Sequence, residues 1–144
     1  MIQEAEILAV GEQWLSGECR FAKWNADIAL RFGAFKSGPS SRFLQEFKFV
    51  AGKTCNLLPP SPEWDERLAF TVAEQLISRR DWKVAAVFGA RAVKAFLGRS
   101  FVWGERFPVG ADKIVVPVPQ VSNSIWRTQP GLKSKVEFAV LSEF

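Results

Sequence analysis

Val84-Ala85-Ala86-Val87-Phe88 runs directly into Gly89, and Ala90 to Leu97 then follow before Gly98. A short, unbroken apolar run of small, β-branched and aromatic side chains predicts a strand buried on both faces. Gly89 predicts the turn that leaves it, and Gly98 the close of the helix after it. Strand, glycine turn and helix make the unit of a parallel α/β sheet. Parallel neighbours need a crossover connection, and the crossover helix covers a sheet face.

The same reading extends towards both termini. Glu6 to Val10 predicts a buried strand that stops at Gly11, and Thr54 to Leu58 a second one halted by Pro59-Pro60. Lys113 to Pro119 predicts a fourth, with Pro117 near its end. Phe101 to Pro108 reads as a short edge strand or a loop. Asn25 is placed to cap a helix with Ile28, Ala29 and Phe32 on one face and Gly33 at its end. Lys36 to Ser40 reads as a loop, after which Ser41 caps a helix carrying Phe43, Leu44 and Phe47. Ser61-Pro62 opens a helix to about Arg80, with Leu68, Val72 and Leu76 in a stripe. Gly131 precedes a terminal helix with Leu132, Val136, Ala139 and Val140 on one side. Glu12 to Lys23 has no period and reads as a loop. The order β, α, α, β, α, β, α, β, α predicts a three-layer α/β/α sandwich around a mostly parallel four-stranded sheet.

With 144 residues, 48% of them hydrophobic and 24% charged, the chain reads as one globular domain over residues 1–144. It contains no histidine, which excludes His-based zinc sites, Ser-His-Asp triads and Cys-His dyads. Two cysteines, Cys19 and Cys55, do not suffice for a four-thiolate iron–sulfur cluster. Neither a metal nor another cofactor is expected. The net charge of +4 suits a polyanionic partner without requiring one. The acidic start, Met1 to Glu6, lacks the flanks of a signal peptide, and no apolar run is long enough to cross a bilayer. The expectation is a soluble, cytoplasmic monomer with free thiols.

In a sheet of this kind, ligands bind beyond the carboxyl ends of the strands. Here those ends are Gly11-Glu12-Gln13, Asn56, Gly89-Ala90-Arg91 and Gln120 to Asn123, which are expected to meet at one crevice.

In their order and spacing, those segments resemble the uracil-DNA glycosylase superfamily. Ile7 to Gln13 is similar to its first motif, a strand ending in glycine and a water-positioning loop. Thr54 to Pro60 is similar to the strand presenting a base-reading asparagine. Lys83 to Gly98 resembles the strand–glycine–helix unit of the bacterial and archaeal branches. Val116 to Asn123 stands where the family carries His-Pro-Ser. The chain departs from that pattern at Gln120, which replaces the histidine, at Val121, which replaces the proline, and at Gln13, a position often Asp or Asn.

The resemblance implies roles for named residues. Asn56 would read the base, since its amide offers an acceptor and two donors in one plane. Gln13 or Glu12 would hold the attacking water. Glu12 alone has a carboxylate to take its proton and to balance an oxocarbenium-like charge. Gln120 and Ser122 would face the leaving base. Trp14, Phe21 and Trp126 are candidate stacking surfaces for an extruded base, whereas Trp24, Phe43, Phe47 and Phe96 read as core. Arg91, Asn123 and Arg127, with Lys94, Arg99 and Lys133, are placed to meet phosphates. For each there is a plainer structural role: a polar strand-end turn for Asn56 and Gln120, a solvated loop for Glu12 and Gln13, a solvated helix face for the cations.

The implied function is extrusion of one base, uracil or a relative, from single- or double-stranded DNA and hydrolysis of its N-glycosidic bond. Two alternatives stay open. One is a catalytically impaired binder of nucleic acid or nucleotide on the same fold. The other is an N-glycosidase acting on free nucleosides or nucleotides.

Overall fold

A computed structural model of the protein describes residues 2–13, 23–61 and 63–142. The stretch 14–22, which holds Trp14, Cys19 and Phe21, lies outside the described residues, as does Pro62. Strands β1 (Ile7–Gln13), β2 (Lys53–Leu58), β3 (Val84–Phe88), β4 (Phe107–Val109) and β5 (Lys113–Val118) form one sheet in the order β2-β1-β3-β5-β4. The helices are α1 (Ala26–Phe32), α2 (Gly38–Gln45), α3 (Glu66–Ile77), α4 (Ala90–Leu97), α5 (Ile125–Thr128) and α6 (Leu132–Leu141), and a 3-10 turn, Glu4–Glu6, precedes β1.

Residues of β3 alternate between two cores. Ala85 and Val87 face α1, α3 and α4, while Val84, Ala86 and Phe88 face α2 and α6. Full burial of a side chain such as Val contributes roughly 1.5–3 kcal/mol, so one central strand anchors both helix layers. The three-layer α/β/α reading therefore holds, as does the assignment of Trp24, Phe43, Phe47 and Phe96 to the core.

The sheet has five strands rather than four. β2, β1, β3 and β5 are parallel, as expected, and β4 adds an antiparallel edge on β5 with Phe107 opposite Val115 and Val109 opposite Lys113. β4 is only three residues long and carries an exposed proline, Pro108, at its centre, so the sequence pattern there is weak.

Other element boundaries also move. β1 does not stop at Gly11 but pairs with β2 as far as Gln13 opposite Leu58, so Glu12 and Gln13 belong to a strand and not to a loop. α2 begins at Gly38, within the segment read as a loop, and Pro39 sits in its first turn, where a missing N–H costs nothing. α3 is capped by Asp65, which accepts from the Leu68 N–H at 3.0 Å, and not by Ser61. Its last residue is Ile77, so Arg79 and Arg80 fall beyond the helix. α5 was not foreseen, because four residues carry no readable period.

Among the described residues, no helix is long and apolar enough to cross a membrane, and no group of three or more His, Cys, Asp or Glu is arranged to hold a metal ion.

Candidate functional site

The connections place β2 on one side of β1 and β3 on the other. The chain reverses direction across the sheet at β1, and the carboxyl ends of β1 and β3 flank that reversal, the place where sheets of this kind bind ligands. Two glycines stand there, Gly11 in β1 and Gly89 directly after β3.

Gly11 and Asn56 are register partners on neighbouring parallel strands. A Cβ at Gly11 would overlap Asn56 Oδ1 and stand 3.4 Å from Phe35 Cζ. The bare backbone of Gly11 thus leaves room for the amide and the ring. Asn56 is 8% exposed, and its side chain makes no hydrogen bond with any described residue. Its amide atoms are not among the fully buried polar atoms that lack a partner, so the amide reaches solvent at the strand end, where an incoming group can meet it. Phe35 packs on Phe88 with ring centroids 5.0 Å apart. Its φ of +57° puts a bulky side chain in the left-handed region, a strained conformation that clusters at functional sites.

Gly89 has φ +102°, and its N–H donates to Val118 O at 2.8 Å, tying the end of β3 to β5. A Cβ there would stand 2.5 Å from Glu12 Oε2 and 2.6 Å from Gln120 Nε2. The carboxylate of β1 and the amide beyond β5 therefore converge over this one residue. The Glu12 side chain is only 12% exposed. Its Oε2 accepts from the Arg91 N–H at 2.9 Å and the Ala92 N–H at 3.4 Å, at the start of α4, and its Oε1 meets Arg91 Nη2 at 3.2 Å. Unpaired N–H groups and the positive end of a helix favour a carboxylate there. The Gln120 amide makes no hydrogen bond with a described residue. Its backbone O accepts from Asn123 N–H at 3.0 Å and from Trp126 Nε1 at 2.8 Å, which fixes the loop that carries it.

Of the expected residues, the fold brings Glu12, Gln120 and Arg91 together around Gly89, while Asn56 stands beside Gly11 and Phe35 on the opposite face of the sheet, and no contact joins it to Glu12 or Gln120 among the described residues. Gln13 turns elsewhere, and its Nε2 donates to Pro59 O and Glu63 O, both at 3.1 Å, so both amide hydrogens hold the connector from β2 to α3. Asn123 Oδ1 accepts from Ile125 N–H at 2.9 Å in the turn that leads into α5, while Ser122 and Arg127 are exposed on the turn and on α5. Trp126 is wedged against Phe43 and Phe47, at 5.2 and 6.1 Å, in the second core. Trp14 and Phe21 lie outside the described residues. Phe35, which faces Asn56, was missed: a lone phenylalanine between Gly33 and Ser37 gives no signal in sequence. Trp64, whose ring centroid lies 4.4 Å beneath the Arg91 guanidinium, was missed likewise.

No protein-family model matches the chain, and no curated protein matches it.

Proposed function

We propose that the protein is a DNA glycosylase-like hydrolase that receives one extruded base, uracil or a relative, between Asn56 and Phe35. The observation that carries this reading is the Asn56 amide, which makes no hydrogen bond with a described residue and lies over Gly11 beside the Phe35 ring. A planar amide can pair with an imide edge of the O4 and N3–H kind, and the ring offers a stacking face. A site built to pair a polar edge rejects bases that would leave its amide unsatisfied.

Hydrolysis needs water at the sugar C1′. The C–O bond forms there as the C1′–N bond breaks, the water proton goes to a base, and the leaving base carries away the bonding pair. Glu12 supplies the carboxylate. Such a group has about four acceptor positions, and three donors occupy Glu12, leaving one for water. The Gln120 amide gives the departing base one neutral hydrogen bond. Where a charged donor is replaced by a neutral one, roughly 3 kcal/mol of barrier lowering is forgone, so the expected enzyme is slow. DNA is the partner, held in part by Arg127, and the protein works as a cytoplasmic monomer with free thiols.

A second reading, binding of a base or nucleotide without hydrolysis, is favoured by Gln13. Both its amide hydrogens are committed to main-chain carbonyls, so its Nε2 has none left to direct a water.

Base-release assays on uracil-, hypoxanthine- and mismatch-containing oligonucleotides, run beside free nucleosides, separate the readings. Release that Asn56→Ala and Glu12→Gln abolish supports the glycosylase. Binding that Asn56→Ala weakens, with no product, supports the second reading. Release from nucleosides alone, insensitive to salt, identifies a nucleoside hydrolase, since a DNA binder loses affinity steeply with salt. Absence of both binding and release removes the proposal.

A further inference from the structure

Glu12 is not held by the helix terminus alone. Arg91 grips it twice, through the backbone N–H to Oε2 and through Nη2 to Oε1. The Arg91 side chain is 56% exposed and would wander on its own. It is kept in place by Trp64, whose ring it covers at 4.4 Å. An aromatic face attracts a guanidinium both electrostatically and by stacking.

Trp64 is itself fixed from both sides. Glu63 O, just before it, accepts from Gln13 Nε2, and Asp65, just after it, caps α3 through the Leu68 N–H. Other exposed pairs, Lys83 with Glu6, Lys94 with Glu66 and Lys135 with Glu105, join flexible ammonium groups and no ring contact of theirs is seen among the described residues. Such pairs contribute little.

We propose that Trp64 and Arg91 form a positioning pair that sets the Glu12 carboxylate over Gly89, a role that rests on the assignment of Glu12 as the proton acceptor. Neither residue is then chiefly a phosphate contact. The connector from β2 to α3 acts as a strut. Gln13, in the same strand as Glu12, pins the connector, and the connector returns Trp64 and through it Arg91 to Glu12.

Two measurements on the full-length chain test this. The first follows the backbone amide resonances of Arg91 and Ala92, the donors to Glu12. Trp64→Ala is expected to move both in the direction that Glu12→Ala moves them, and Trp64→Phe, which keeps a ring, to leave them near the parent positions. Unmoved resonances in Trp64→Ala overturn the proposal whatever the activity.

The second measures single-turnover base release and DNA affinity. Small misplacements of a reacting group cost on the order of 10²-fold. Trp64→Ala and Arg91→Ala are each expected to slow release on that scale with Kd for DNA unchanged, the double variant being no slower than Arg91→Ala. Weakened DNA binding and a salt slope reduced by about one in Arg91→Ala, with the rate intact, identify a phosphate contact and overturn the positioning role. Shifted resonances in a protein that releases no base leave the placement of Glu12 by this pair standing and remove the glycosylase reading alone.

Discussion

Asn56 Oδ1 occupies the space that a side chain on Gly11, its partner across β1 and β2, would fill. Selection of the smallest residue at one position and of a polar planar one at the other is therefore a single structural decision. Gly11→Ala is expected to keep the fold, because only the far end of the asparagine need move, at about 1 kcal/mol. Base binding should fall at least tenfold, the amide having been turned away. Thermal unfolding and oligonucleotide titration check the two halves.

Gly89→Ala should be costlier. Its φ of +102° is strained for any residue with a Cβ, and the new atom would meet both Glu12 and Gln120. A loss of about 1–3 kcal/mol is expected, together with loss of base release. Urea unfolding should resolve it. A midpoint equal to that of the parent chain would mean that the turn is less constrained than its backbone indicates.

Asn56→Ala should behave in the opposite way. Because the amide makes no hydrogen bond with a described residue, its removal should leave stability within about 1 kcal/mol of the parent chain, less than the penalty for breaking a buried pair. Ligand binding should suffer the whole effect. Calorimetric unfolding beside a base-binding titration would show it.

A pH effect arises far from the site. The carboxyl of Asp81 is held below its ordinary value by the hydrogen bond from Arg79, with the charge of the same guanidinium assisting. A carboxylate whose folded pKa is depressed contributes stability above its unfolded value, near 3.8, and that stability is lost as pH falls through the folded value. Asp81→Asn should therefore lower stability at pH 7 and narrow the gap to pH 3. Denaturant midpoints at the two pH values test the sign.

Cys55 runs the other way. Burial pushes its thiol up to about 12. The protonated form belongs to the folded state, so its contribution is full below pH 9 and declines as pH rises from there towards 12. In a Cys19→Ser background, thiol reagents at pH 8 should label Cys55 only at the rate at which the chain opens. Rapid labelling of the native protein would show that β2 is accessible.

What the sequence disclosed, and what it withheld, follows from the range of each signal. β3 and α4 were legible because Val84 to Phe88 must be apolar on both faces and Gly98 must end a helix. Glu12 and Gln120 were legible as strand-end residues, since neighbouring parallel strands bring such ends together, here over Gly89, whereas Asn56 meets Gly11 on the other face of the sheet. Gln13 was misjudged because its role depends on two carbonyls, Pro59 and Glu63, that are remote in the chain. Phe35 and Trp64 matter through a backbone angle and a stacked guanidinium, and neither leaves a trace in residue type or spacing. α2 was misplaced because Gly38-Pro39 suits a loop and a first helical turn equally well.

At the far margin of the sheet, Pro108 interrupts β4 on the side facing solvent. A strand arriving there from another molecule would find one donor missing from a template only three residues long. Lateral growth into fibrils or sheet-swapped dimers is thus obstructed at the border furthest from β2, and crowding should drive no edge-to-edge association through it.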